Sequence, residues 1–299
     1  FDHLLITKWQ MLDARTQPVD ALILGDSSGN QGVDPDILED RVGGEWLNLC
    51  TVGNMLTVGS AWMLNDYVER FGPPDRILMI HVYEVWHRPA HPSAFARIPR
   101  PWGFWKEYDP PVHFSERQLV EIALARYVPL YAADVSLRQL IMHPRQTIAG
   151  RPEIRDDGFM PMHDPWPEEV RQDYEAQRRH VEESTFKASH PNRAGLDRLL
   201  ELADRHDIEI YYAHGPTYDR LVEHEAFQRY FADVQAMLEQ VEREHERFHL
   251  LFHEPQPFPI DQLQNVEHVT VEGAEVYTRR IAEAIAARQP RRRNGEEGD

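Results

Sequence analysis

Val19-Asp20-Ala21-Leu22-Ile23-Leu24-Gly25-Asp26-Ser27-Ser28-Gly29 is an apolar run that breaks on a Gly-Asp-Ser turn. Residues 19–24 read as a short buried strand, and Pro35-Asp36-Ile37-Leu38-Glu39 reads as the opening of a helix. A serine just past the carboxyl end of a strand lies where open α/β sheets place their sites. Far down the chain, Asn265-Val266-Glu267-His268 precedes Gly273-Ala274-Glu275-Val276-Tyr277-Thr278, which sets a histidine shortly before the last helix.

Outward from that run, composition and turn residues predict further strands at 46–49, 76–83, 208–213 and 248–252. Helices are predicted between and after them, at 36–42, 58–71, 192–206, 223–245 and 273–287. The alternation predicts an α/β fold: a doubly wound, mostly parallel sheet with right-handed crossovers. The segment from about 88 to 191 breaks the rhythm, being rich in Pro, Trp, His and Arg, with helical spacing over 115–139. It is expected to be an insertion that forms a lid or one wall of the site, the alternative being a loop packed on the scaffold. A single domain over 1–290 and a disordered tail over 291–299 complete the expected organisation.

A chain of 299 residues with 41% hydrophobic and 10% aromatic residues can build a substantial core. The net charge of -18 argues against nonspecific attraction to nucleic acid or to an anionic membrane surface. The one basic cluster, Arg291-Arg292-Arg293, lies in the tail. Cys50 is the only cysteine, which rules out an intrachain disulfide and a cysteine-based zinc cluster. No apolar run reaches the roughly 18 residues that a spanning helix needs. The chain begins at Phe1 rather than methionine and so reads as a fragment or processed form. That reading leaves room for a signal, an anchor or a membrane-anchored partner outside the sequence.

Three blocks together carry a resemblance: Gly25-Asp26-Ser27 on the first strand, Gly53 within Asn48-Leu49-Cys50-Thr51-Val52-Gly53-Asn54, and His268 before the last helix. They resemble the SGNH/GDSL hydrolase superfamily, in particular its bacterial extracytoplasmic polysaccharide esterases and O-acyltransferases. The resemblance covers about 19–86 and 208–287. It implies a flavodoxin-like fold, Ser27 as nucleophile, His268 as its base, no cofactor, and a periplasmic or cell-surface location. The family's acid position, three residues before the histidine, is Asn265 here, and Glu267 and Asp261 are the nearby carboxylates that could substitute. The family's third block carries an oxyanion asparagine, whereas Ile80-His81-Val82-Tyr83-Glu84-Val85-Trp86-His87 has none. Tyr83, His81 or His87 takes that part, or the hole is incomplete.

The chemistry requires these residue types for a physical reason. A serine hydroxyl attacks poorly until a base removes its proton, so Ser27 needs an imidazole within hydrogen-bond reach. The N–H of Ser27 or Ser28, with the N–H of Gly53 or the side chain of Asn54, could receive the developing oxyanion. The plainer readings are a capping serine and a surface-loop histidine. Gly25-Asp26-Ser27-Ser28-Gly29 also fits the nucleophile elbow of α/β-hydrolases, but there the serine follows several strands rather than the first. His87/His91 and His245/His249 have helical spacing without a clear third ligand, so no metal site is expected. His214 reads as a substrate contact or, more plainly, a satisfied turn histidine. Trp102, Trp105 and Trp166 are candidates for stacking on sugar rings, with Tyr83 and His87 beside them, against the alternative of core packing. The expectation is a serine ester hydrolase or O-acyltransferase acting on acylated carbohydrate. The competing expectation is a noncatalytic carbohydrate-binding or assembly protein on the same scaffold.

Overall fold

The computed structural model describes residues 2–128 and 153–288. The tail at 291–299 and the part of the predicted 115–139 helix beyond 128 lie outside the described residues. The strands are β1 (Ala21–Gly25), β2 (Trp46–Asn48), β3 (Arg76–His81), β4 (Glu209–His214), β5 (Pro216–Tyr218), β6 (Phe248–Leu250) and β7 (Gln256–Phe258). The helices are α1 (Asp2–Ala14), α2 (Ser27–Gly32), α3 (Pro35–Val42), α4 (Leu56–Phe71), α5 (Pro92–Arg97) and α6 (Phe104–Glu107). They continue as α7 (Glu116–Tyr127), α8 (Pro167–Glu183), α9 (His190–His206), α10 (Asp219–Val222), α11 (Glu225–Glu244) and α12 (Val271–Arg288).

The central sheet has five strands in the order β2-β1-β3-β4-β6. Every pairing is parallel, with Ala21 opposite both Trp46 and Arg76. β1 is buried along its whole length, as a central strand covered on both faces must be. The chain moves from β1 to β2 in one direction across the sheet and then from β3 through β4 to β6 in the other. Right-handed crossovers therefore send α3 to one face and α4, α9 and α11 to the opposite face. The packing agrees: α3 lies against α12, and α4 against α9. This is an α/β architecture compatible with a doubly wound fold. Its order reverses between β1 and β3, and the crevice beyond the carboxyl ends of those strands is where such sheets bind ligands.

Gly25 closes β1 for a steric reason. It has φ of +150°, and a Cβ there would lie 1.9 Å from the Ile80 carbonyl oxygen of β3. Only a residue without a side chain lets the two backbones meet while the Asp26 N–H donates to that same carbonyl, at 3.1 Å. The edge strand β2 is covered rather than left open. Its Asn48 N–H donates to the Asp157 carbonyl at 2.8 Å, so part of the insertion seals the sheet. Lys8 of α1, fully buried, donates to the carbonyl of Asn48 at 2.7 Å and to that of Gly158.

Burial pulls the Lys8 ammonium down to about 7, against weaker opposing fields from Cys50 and Asp157. The unfolded chain thus holds a proton that the folded chain sheds between pH 7 and about 10, so the contribution of Lys8 to stability improves as pH rises through that window. Denaturant unfolding of wild type and Lys8→Met across pH 6 to 10 should show a difference that is flat below 7 and then shifts in favour of wild type. A constant difference would mean that Lys8 titrates normally. Gly25→Ala should lower stability by about 3 kcal/mol or more in the same assay, because neither backbone can yield without breaking the β1–β3 ladder.

Candidate active site

The turn after β1 is built around Asp26, which is 2% exposed. Its Oδ1 accepts from the Ser28 N–H at 2.8 Å and the Ser28 hydroxyl at 2.6 Å, and its Oδ2 accepts from the Val82 N–H at 2.9 Å. The ring of His81 stands 3.5 Å from the same Oδ2. Burial would push this carboxyl up, but the His81 contact and the Ser28 and Val82 donors outweigh it and hold the group down at about 2. Asp26 is therefore an anion that caps α2 and ties it to the exit of β3.

Ser27 is the first residue of α2, and its Oγ lies 2.8 Å from Nε2 of His268 across 241 residues of sequence. The geometric expectation for this pair holds. His268 is placed by the loop before α12, and α12 is itself anchored near Ser27. Tyr277 donates to the His214 carbonyl at 2.5 Å, and Thr278 donates to the Gly32 carbonyl at 3.1 Å. As first residues of their helices, Ser27 and Gly53 have N–H groups with no intrahelical acceptor. Among the described residues no other carbonyl accepts from them. Asn54 is exposed beside them, and all three line one cavity. Ser28 does not fit the oxyanion part expected of it: it is fully buried, and both its donors are spent on Asp26.

The far side of His268 departs from the expectation. Asn265, at the family's acid position, turns inward, and its Oδ1 accepts from the N–H groups of Glu267 and His268 at 2.9 Å each. It shapes the loop and does not touch the imidazole. Asp261 is exposed in a short 3-10 turn, and Glu267 points into the cavity. Among the described residues no carboxylate lies within ion-pair distance of the His268 ring, so neither Asp261 nor Glu267 serves as a triad acid. Burial lowers His268 to about 4; the Asp26 charge works against this and Arg88 adds to it.

A cavity of about 430 Å³ opens over Ser27 and His268. The insertion does line it, through Ser93, Ala94, Arg97, Ala125, Asp173 and Gln177, a wall that mixes polar and charged side chains with two alanines. None of the expected aromatic contacts is in it. Trp105 is fully buried, Trp102 is 45% exposed but packs edge-on against Trp105, and Trp166 precedes α8, donating its N–H to Leu263. Tyr83 is buried and donates to Gln177 at 2.7 Å, so it positions a wall residue rather than facing a ligand. His87 stacks on His180 and pairs with the Tyr230 hydroxyl, and burial lowers its pKa. His214 is a core histidine paired with Gln235 at 2.8 Å, lowered by burial to about 4. With Tyr83, His81 and His87 all directed away, Asn54 is the side chain expected at the oxyanion position that does line the cavity.

Sequence reasoning missed Glu84, Arg88, Asp173 and Gln177. Arg88 forms an ion pair with Glu84 and packs so closely on Gly53 that a Cβ there would lie 2.5 Å from its guanidinium. Its turn is held by Asn192 of α9, whose amide donates to Val85 at 2.7 Å and accepts from the Thr57 N–H at 3.0 Å. A cluster of carboxylates elsewhere, Asp34, Asp36 and Asp157, is bridged by the Arg155 guanidinium. The chain matches no protein-family model, and no curated protein matches it. The loop capped by Asn265 yields a direct test: Asn265→Ala should cost about 1 kcal/mol of stability and displace His268. Serine reactivity toward an activated ester should then fall further than the stability loss alone explains. Unchanged reactivity would show that the loop holds His268 without this cap.

Proposed function

We propose that this protein is a serine-dependent ester hydrolase or O-acyltransferase of SGNH type, acting on acylated carbohydrate outside the cytoplasm through an acyl-enzyme on Ser27. The observation that carries the reading is the 2.8 Å contact between Ser27 Oγ and His268 Nε2, beside open N–H groups in one cavity. Ser27 Oγ attacks the acyl carbonyl carbon while its proton passes to Nε2 of His268. The oxyanion faces the N–H groups of Ser27 and Gly53 and the amide of Asn54. Collapse expels the alcohol oxygen, which takes the proton back from His268. Water or a second hydroxyl then attacks the acyl-enzyme by the same proton path. The polar wall of Asn54, Arg88, Asp173 and Gln177 suits a hydroxyl-rich alcohol portion.

The absent acid argues for a Ser–His dyad. In serine proteases, loss of the carboxylate behind the histidine costs about ten-thousand-fold in rate, so turnover on simple esters should be slow. That same absence favours a noncatalytic binding role as the second reading. Hydrolysis of p-nitrophenyl acetate separates the two: Ser27→Ala and His268→Ala should each remove essentially all turnover. Because the imidazole stays neutral down to about 4, kcat/KM should hold its plateau well below the ordinary histidine range and fall only on approach to that pH. Activity that survives Ser27→Ala would end the Ser27 mechanism, and a wild type without turnover would favour the binding role.

A further inference from the structure

Glu267 has the wrong position for a triad acid and an unusual one for anything else. It is 8% exposed, it lines the cavity with Ser27 and His268, and its buried Oε1 has no hydrogen-bond partner among the described residues. A buried polar atom left open costs stability that no internal contact here returns. Its surroundings come from several elements: Asp26 after β1, Tyr83, Glu84 and Arg88 after β3, Asp173 of α8, and His268 beside it. Arg88 is already engaged by Glu84 and supplies only a field.

Resting on the acyl-ester reading above, we infer that Glu267 is a specificity-determining residue whose carboxyl group hydrogen-bonds a hydroxyl on the polyol portion of the substrate. Burial, reinforced by the charges of Asp26 and Asp173 and only partly offset by Arg88, pushes the Glu267 carboxyl up to about 8. At neutral pH it is therefore a protonated acid, with one O–H to donate and a carbonyl oxygen to accept. A sugar hydroxyl offers the same two roles in reverse, so the pair forms with no charge taken out of water. An ammonium group would instead require Glu267 to release its proton to solvent and bury an ion pair. A plain alkyl ester would leave the carboxyl unsatisfied, which is how such a site discriminates.

The test compares p-nitrophenyl acetate, which has no hydroxyl, with a mono-O-acetylated glucose. Glu267→Leu should lower the ratio of kcat/KM on the sugar ester to that on the aryl ester about tenfold. Glu267→Gln keeps a donor and an acceptor and should hold that ratio within about twofold. In wild type the ratio should fall as pH rises through about 8, and in Glu267→Gln it should not. An unchanged ratio in Glu267→Leu, an equal fall in both variants, or a wild-type ratio that climbs above pH 8 overturns the assignment. Should no variant or wild type cleave either ester, the enzymatic reading fails by itself. Binding of methyl glucoside to wild type and Glu267→Leu, followed by NMR titration, then decides the Glu267 assignment separately. Weaker binding in the variant sustains it, and equal or absent binding in wild type removes it.

Discussion

The site depends on one carboxylate that is almost entirely buried. Asp26 binds the start of α2, the exit of β3 and the ring of His81 together at the reversal point of the sheet. Those contacts hold the turn that carries Ser27: the cap takes the N–H and hydroxyl of Ser28, and the Val82 N–H ties the turn to the end of β3. A buried charge with this many donors is held firmly, whereas loss of any donor would leave part of it uncompensated. Gly25 makes the arrangement sterically feasible by letting β1 run against β3 without a side chain between them.

The five-stranded sheet was legible because its strands are short apolar runs cut off by Gly, Pro and polar residues. β1 and β3 read clearly for this reason, and the predicted ends were off by only a few residues. α2 was not legible: Ser27-Ser28-Gly29-Asn30-Gln31-Gly32 is a poor helical sequence, and it is helical because Asp26 caps it and α12 buttresses it. β5 and β7 escaped notice because Pro216 and Pro257 argue against a strand, and three-residue ladders carry little pattern. α8 left signals that went unused, with a proline in its first turn, Glu168 and Glu169 after it, and Val170 and Val181 buried.

The serine and histidine of the site were readable because their motifs flank predictable elements. The wall was not, since it depends on which residues of the insertion turn inward. Tryptophan is highly buried on average, and Trp105 and Trp86 went to the core. Asp173 and Gln177 lie one turn apart on α8, and only the docking of that helix brings them over Ser27. Asn265 shows a related limit: an amide at an acid position reads as a lost carboxylate, while in the fold it shapes the loop that delivers His268.

The 241-residue separation between Ser27 and His268 has a consequence for synthesis. β1 and its serine leave the ribosome 241 residues before the imidazole, which arrives just ahead of α12. Until α12 docks on α2, the Ser27 hydroxyl has no imidazole beside it. Under the proposed function, reactivity thus waits until α12 is made and docked, so the fold itself times the arming of the nucleophile.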